Sequence, residues 1–144
     1  MKTQLEVQIA SRLPGIPSGR EFQRWLRAAL PVSAHLTLRV VNGVEARSLN
    51  RAFRRKDYAT NVLTFVYHEL GAKTLMGDVV LCAPVVAREA REQQKPLKAH
   101  YAHLTVHGAL HLAGMEHESA RAAKFMENQE IAILDQLGYA NPYG

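Results

Sequence analysis

The stretch VLTFVYHELGAKTLMGDVVLC, residues 62–82, decides the fold class. Its two ends, VLTFVY at 62–67 and GDVVLC at 77–82, are short runs of β-branched, aromatic and aliphatic residues and read as strands. The HELGAKTL between them reads as a turn or irregular loop. Two paired strands in mid-chain argue for an α+β arrangement over a strictly alternating α/β one. Upstream, Leu5, Val7 and Ile9 alternate with polar residues as a strand does, and Pro14, Gly15 and Pro17 break it. Ser18 and Glu21 have capping-box spacing, so a helix opens there, runs toward Leu30 and stops at Pro31. Leu36, Leu38 and Val40 mark a second alternating strand. Asn42 and Glu45 repeat the N-cap and N3 spacing and open a second helix. In it Leu49, Ala52 and Phe53 share one face, and Arg47, Arg51, Arg54 and Arg55 the opposite one. Downstream, residues 84–93 form a short helix with Pro84 in its first turn. Pro96 introduces the longest apolar-rich helix, 97–113, which Gly114 ends as a C-cap, and a last helix covers 119–137. The order β-α-β-α-β-β-α-α-α, without repeat or linker, describes a single domain over residues 1–144.

A chain of 144 residues, 47% hydrophobic and 22% charged, is ordinary for one globular domain. Its net charge of +5 raises the local concentration of polyanions, which admits nucleic acid as a partner beside a small substrate. Cys82 is the only cysteine, so no internal disulfide can form, which fits a reducing compartment. The opening MKTQLEVQIA alternates polar and apolar residues and lacks the continuous apolar run of a secretory signal. No stretch approaches the roughly 18 apolar residues of a membrane span. A cytoplasmic protein with no membrane contact is expected.

The chemistry is concentrated in HGALHLAGMEH, residues 107–117. His107 and His111 stand four apart on a helix, one above the other, and can share one small cation. Gly114 lets the chain turn through positive φ and bring His117 back to the same point. Three neutral imidazoles make a good site for one zinc ion per chain and leave a fourth position open for water, which separates a catalytic zinc from a structural one. A structural zinc usually takes four protein ligands with thiolates prominent, and Cys82 is far away in sequence. The spacing H-x3-H-x2-G-x2-H is also that of metzincin peptidases. Their glutamate general base would follow His107, and Gly108 stands there instead, which argues against a zincin-type peptidase. A helix-interior glycine costs about 1 kcal/mol relative to alanine, so something packs very close to the backbone at Gly108. His100 and His103 continue the stripe within an arc of about 80°. They are either polar residues on an exposed helix face or part of a cleft floor on which His103 orients a ligand.

The same run, preceded by AHLTVHG, resembles the signature of the YbeY family of bacterial rRNA maturation endoribonucleases. Further blocks agree in the same order: Leu49-Asn50, Phe53-Arg54-Arg55-Lys56-Asp57 and Thr60-Asn61-Val62-Leu63-Thr64-Phe65; Gly77-Asp78-Val79-Val80-Leu81-Cys82; and Leu137-Gly138-Tyr139 with Pro142-Tyr143. The resemblance implies a zinc-dependent, single-strand-specific endoribonuclease acting in 16S rRNA 3′-end maturation and ribosome quality control. Its partners would be single-stranded RNA, rRNA and the ribosomal small subunit. It implies zinc on His107, His111 and His117, and a functional arginine at Arg54. It also implies a small four-stranded mixed sheet, mostly parallel with an antiparallel strand, flanked by about five helices, with the metal in a cleft. Three positions depart from the family's usual residues: Glu116 stands for Asp, Met115 for an aromatic and Ala59 for proline. None is a metal ligand.

Zinc lowers the pKa of bound water toward 7 and polarises a phosphoryl oxygen. Arg54 then suits the charge that builds at phosphorus, because a guanidinium forks onto two oxygens and stays protonated. Glu116 is a candidate proton carrier, with Glu118 and Asp78 behind it, and Tyr58, Phe65 and Tyr67 could stack on bases. The arginine stripe would guide the RNA backbone through phosphate contacts. A ribosome-assembly factor that binds RNA without turnover would need the same phosphate contacts and is the other reading.

Overall fold

The computed structural model describes residues 3–54, 60–69, 71–115 and 118–144, with the backbone alone at Phe53 and Arg54. Among them the strands are β1 (Gln4–Ile9), β2 (Ala34–Val41), β3 (Val62–Val66) and β4 (Leu75–Cys82). The helices are α1 (Gly19–Ala29), α2 (Gly43–Arg54), α3 (Ala83–Glu92), α4 (Leu97–Leu112) and α5 (Ala120–Gln136). Element order matches the expectation, and boundaries move by one or two residues. β4 begins early because Leu75 and Met76 continue its pairing with Ala34 and His35 of β2.

Local chemistry sets the ends. Ser18 accepts from the amide of Glu21 while Glu21 reaches back to the Ser18 amide, a complete capping box for α1. A serine caps α5 as well, where the Ser119 hydroxyl accepts from the Ala122 amide. α4 ends in a Schellman turn. Gly114 takes φ of 100°, its amide bonds the His111 carbonyl, and the Met115 amide bonds the Leu110 carbonyl.

The sheet order is β1-β2-β4-β3, with β1, β2 and β4 parallel and β3 antiparallel to β4. The fold is α+β around one mixed sheet. Register aligns Val7 with Leu38, Leu38 with Val79, and Val79 with Thr64, so these positions share one face. On that face lie α1, through Phe22, Trp25, Leu26 and Ala29, and α4, through Leu104, Ala109 and Leu112. Burying large apolar side chains of this kind stabilises by about 1.5–3 kcal/mol each. The other face carries a smaller cluster of Val41, Leu63, Val80 and Cys82 under Ala46 of α2 and Val85 of α3.

The buried face of α2 differs from the expected one. Ala52 is exposed, and the covered face is Ala46, Leu49 and Asn50. At 100° per residue Leu49, Ala46 and Asn50 span an arc of about 100° with Ala46 inside it, and Ala52 falls about 60° beyond its Leu49 edge; a polar Asn50 at the other edge disguises this.

α4 is the central helix, in contact with α1, α3, α5, β3 and β4. It lies close to the sheet because glycine stands at both crossings. A Cβ on Gly108 would come within 2.8 Å of Val79 Cγ1, and one on Gly77 would collide with Leu112 and the Phe65 carbonyl. The close packing expected at Gly108 is therefore present, and its partners are β4 and β3. Among the described residues no helix is long and apolar enough to cross a membrane.

Candidate metal centre

The histidines of α4 run from the core to the surface. The side chain of His100 is 3% exposed, that of His103 13% and that of His107 23%, and His111 is half-buried. Solvent therefore reaches the stripe at the end where a metal is expected. The rings of His107 and His111 are 4.8 Å apart, centroid to centroid, against 6.4 Å between His103 and His107.

Beneath them lies a residue that reading of the sequence missed. Glu130, 1% exposed, sits between Met126 and Leu134 on the buried stripe of α5. Its Oε1 is 2.6 Å from His103 Nε2 and 2.8 Å from the Tyr143 hydroxyl, and its Oε2 is 3.1 Å from His107 Nδ1. Burial pushes this carboxyl up, but hydrogen bonds and charge from His103 and His107 outweigh it and hold the pKa down at about 2. An ionised carboxylate only accepts, so all three partners donate. Tyr143 is pushed well above the usual phenol range, by burial first and then by its bond to Glu130, and keeps its proton. His103 presents Nε2–H, and its buried Nδ1 is without a partner among the described residues. His107 presents Nδ1–H, which makes Nε2 the basic nitrogen of a ring that is partly accessible.

His100 and His103 are thus not an exposed polar face. His100 Nε2 meets Glu89 Oε1 at 2.9 Å, and burial holds its imidazole below the usual value against the upward pull of that carboxylate. Glu89 also accepts from Asn61 Nδ2 at 3.1 Å, and the Asn61 carbonyl accepts from the Cys82 amide. Asn61 therefore ties the start of β3 to α3 and, through Glu89, to α4. His103 is turned to Glu130 rather than to an outer ligand.

Asp78 is not brought to the histidines. It aligns with Thr37, on the sheet face opposite α4, and accepts from the Tyr67 hydroxyl at 2.8 Å. With Arg39, Phe65 and Tyr67 it lines a groove of about 390 Å³ on that face. Phe65 and Tyr67 accordingly lie across the sheet from the metal site. Cys82 is buried at the end of β4, its thiol pushed up by burial, and is no ligand to this site.

Comparison with known proteins bears on the same residues. A family model described as endoribonuclease YbeY matches residues 18–138. The chain belongs to the YbeY endoribonuclease family. An endoribonuclease YbeY of Thiobacillus denitrificans is 54% identical over 139 residues, covering 96% of this chain and 95% of the relative. One from Methylobacillus flagellatus is 52% identical over 139 residues, covering 96% and 92%. One from Aromatoleum aromaticum is 57% identical over 127 residues, covering 88% and 81%. A solution structure of a Thermotoga maritima protein is similar in fold, with TM-score 0.58, 20% identity and coverage of 96% and 98%.

Of the residues singled out in the sequence, His107 and His111 stand side by side on α4. Arg54 ends α2, with only its backbone described. Glu116, His117, Arg55 and Tyr58 lie outside the described residues, and Glu118 is exposed just before α5. Among the described residues no group of three or more histidine, cysteine or acidic side chains is arranged to hold a metal ion; the triad needs His117. The signal for Glu130 was present but quiet: an acid at the centre of an i, i+4, i+8 stripe whose other members are apolar.

Proposed function

We propose that this chain is a zinc-dependent endoribonuclease that cuts single-stranded RNA, with the metal on His107, His111 and His117. The coarse part, an endonuclease acting on RNA, follows from family membership. The observation that carries the finer part is the state of His107. A buried, ionised Glu130 takes its Nδ1–H and leaves Nε2 as the basic nitrogen of a ring that stands 4.8 Å from that of His111, centroid to centroid. Imidazoles that bind catalytic metals have this donor arrangement, with the remote ring nitrogen tied to a carboxylate. The donor set therefore fits zinc, and nitrogen ligands with one open position suit it.

Zinc in that position supplies Lewis acidity toward a phosphoryl oxygen and makes water more acidic near neutral pH. The protein's own residues do the rest. Arg54 meets the charge that accumulates at phosphorus, and its bidentate guanidinium stays protonated throughout. Glu116 carries a proton toward the leaving oxygen. Gly108 leaves no room for a side chain where a zincin peptidase places its glutamate base, since even a Cβ meets Val79. The exposed arginines Arg47 and Arg51 on α2 extend the positive surface along which an RNA backbone would lie. In this reading the chain works in the cytoplasm on rRNA of the small ribosomal subunit, at the 3′ end of 16S rRNA and in ribosome quality control.

The test is cleavage of single-stranded RNA with and without a zinc chelator, beside His111→Ala and Arg54→Ala. Chelation and His111→Ala should each abolish turnover. Arg54→Ala should lower turnover at saturating RNA more than it lowers affinity. Wild type cutting no faster than His111→Ala would leave an RNA-binding assembly factor as the better account.

A further inference from the structure

Glu130 is expensive where it stands. A carboxylate taken out of water loses several kcal/mol of solvation, and its neighbours along the α5 stripe, Met126 and Leu134, are apolar. A leucine there would serve packing alone. Two of the three hydrogen bonds of this carboxylate go to histidines of α4, and the third goes to Tyr143, whose ring lies against one of those histidines. The third donor, Tyr143, comes from beyond the end of α5 and is itself held. The Pro142 carbonyl accepts from Lys95 Nζ at 2.9 Å, and the Tyr143 amide bonds Asn141 Oδ1 at 2.8 Å. The Tyr143 ring stands edge-on to His103 at 5.3 Å.

The bonding divides the carboxylate. His103 and Tyr143 both occupy Oε1, so Oε2 is the oxygen left to His107. Two donors on Oε1 fix the carboxylate plane, and that plane fixes the ring of His107 in tautomer and in rotation. We propose that Glu130, His103 and Tyr143 are positioning residues that preset His107 for its metal, so that α5 and residues 142–143 tune metal affinity without touching the ion. This rests on the reading of His107 as a metal ligand. It goes beyond that reading in assigning the preset to a fixed set of three side chains, drawn from α4, from α5 and from the segment after α5.

The experiment compares full-length wild type, Glu130→Gln, Tyr143→Phe and His111→Ala by zinc competition against a chromogenic chelator. It adds the d–d spectrum with cobalt in place of zinc, and long-range proton–nitrogen correlations of the histidine rings in metal-free protein. Glu130→Gln should bind zinc about 10–100-fold more weakly, the usual cost of losing a partner behind a metal ligand. Tyr143→Phe, one bond further out, should lose less, about two- to tenfold. The metal-free wild type should show His107 as the Nδ1–H tautomer, and Glu130→Gln a mixture. Because Glu130 is buried, its variant could fail to fold. Tyr143 is half exposed and its replacement removes a single hydroxyl, so that variant then decides through affinity and the cobalt spectrum. Folded variants with wild-type affinity, cobalt spectrum and tautomer overturn the proposal while leaving the metal site standing. Zinc binding that is no tighter in wild type than in His111→Ala removes the metal site, and the proposal with it.

Discussion

At Gly108 helix propensity and packing pull in opposite directions. Alanine would gain about 1 kcal/mol from propensity, yet its methyl would stand 2.8 Å from a Val79 methyl inside the core. Overpacking of a filled interior costs about 1–3 kcal/mol, so Gly108→Ala should lower stability by up to about 2 kcal/mol in urea titrations. In Gly108→Ala with Val79→Ala the two changes should be strongly non-additive, because the second removes what the first strikes. Strict additivity would mean that the two side chains do not meet. His100 makes a different demand. Burial holds its pKa below normal, and above about pH 6.5 the folded and unfolded chains both carry it neutral. As pH falls below that value the unfolded chain takes up a proton that the folded chain resists. Stability therefore declines until the folded pKa is passed. Wild type should lose more unfolding free energy than His100→Gln between about pH 7 and about pH 5.5. Equal losses would place the acid sensitivity elsewhere.

The elements whose ends are chemically marked were legible from residues 18, 96, 114 and 119, because caps act over three or four positions and need no tertiary partner. The paired strands at 62–82 were legible for the same reason, and so was the stacking of His107 on His111, one helical turn apart. What escaped was long-range. Glu130 meets His103 across 27 positions and Tyr143 meets His103 across 40, and no local pattern announces such bonds. Asn50 escaped because a buried amide on an otherwise weakly apolar helix looks like a surface residue. Gly114 joins the two classes, a local signal with a distant purpose. Its φ of 100° closes α4, three residues before His117 in the sequence. Gly114→Ala should cost about 1–3 kcal/mol of backbone strain and should also weaken zinc binding. Gly71, with φ of 83° in the loop between β3 and β4, is the control: its alanine variant should show the strain without the zinc defect. Equal zinc affinity in the two variants would detach the turn from the metal site.

Across the whole molecule, one bound ion would connect parts that otherwise meet only by packing. His107 and His111 belong to α4, His117 follows its terminal turn, and Glu130 brings in α5 and, through Tyr143, the segment anchored on Lys95. None of these distances survives unfolding, so a zinc ion held there would bind the folded chain and not the unfolded one, and its binding energy would become folding energy. At free zinc about 100 times the dissociation constant the stabilisation is about 2.7 kcal/mol. For a domain between the small and the middle size class this raises the melting temperature by roughly 10 °C. Chelation should reverse it. His111→Ala should melt at one temperature whether zinc is present or not. Arg54→Ala should respond as fully as wild type if, as proposed, its task is at the phosphate and not at the metal. That pairing separates the two roles without any RNA in the sample: a wild type indifferent to zinc would sink the metal site, and an Arg54→Ala indifferent to zinc would move that arginine from catalysis to metal support.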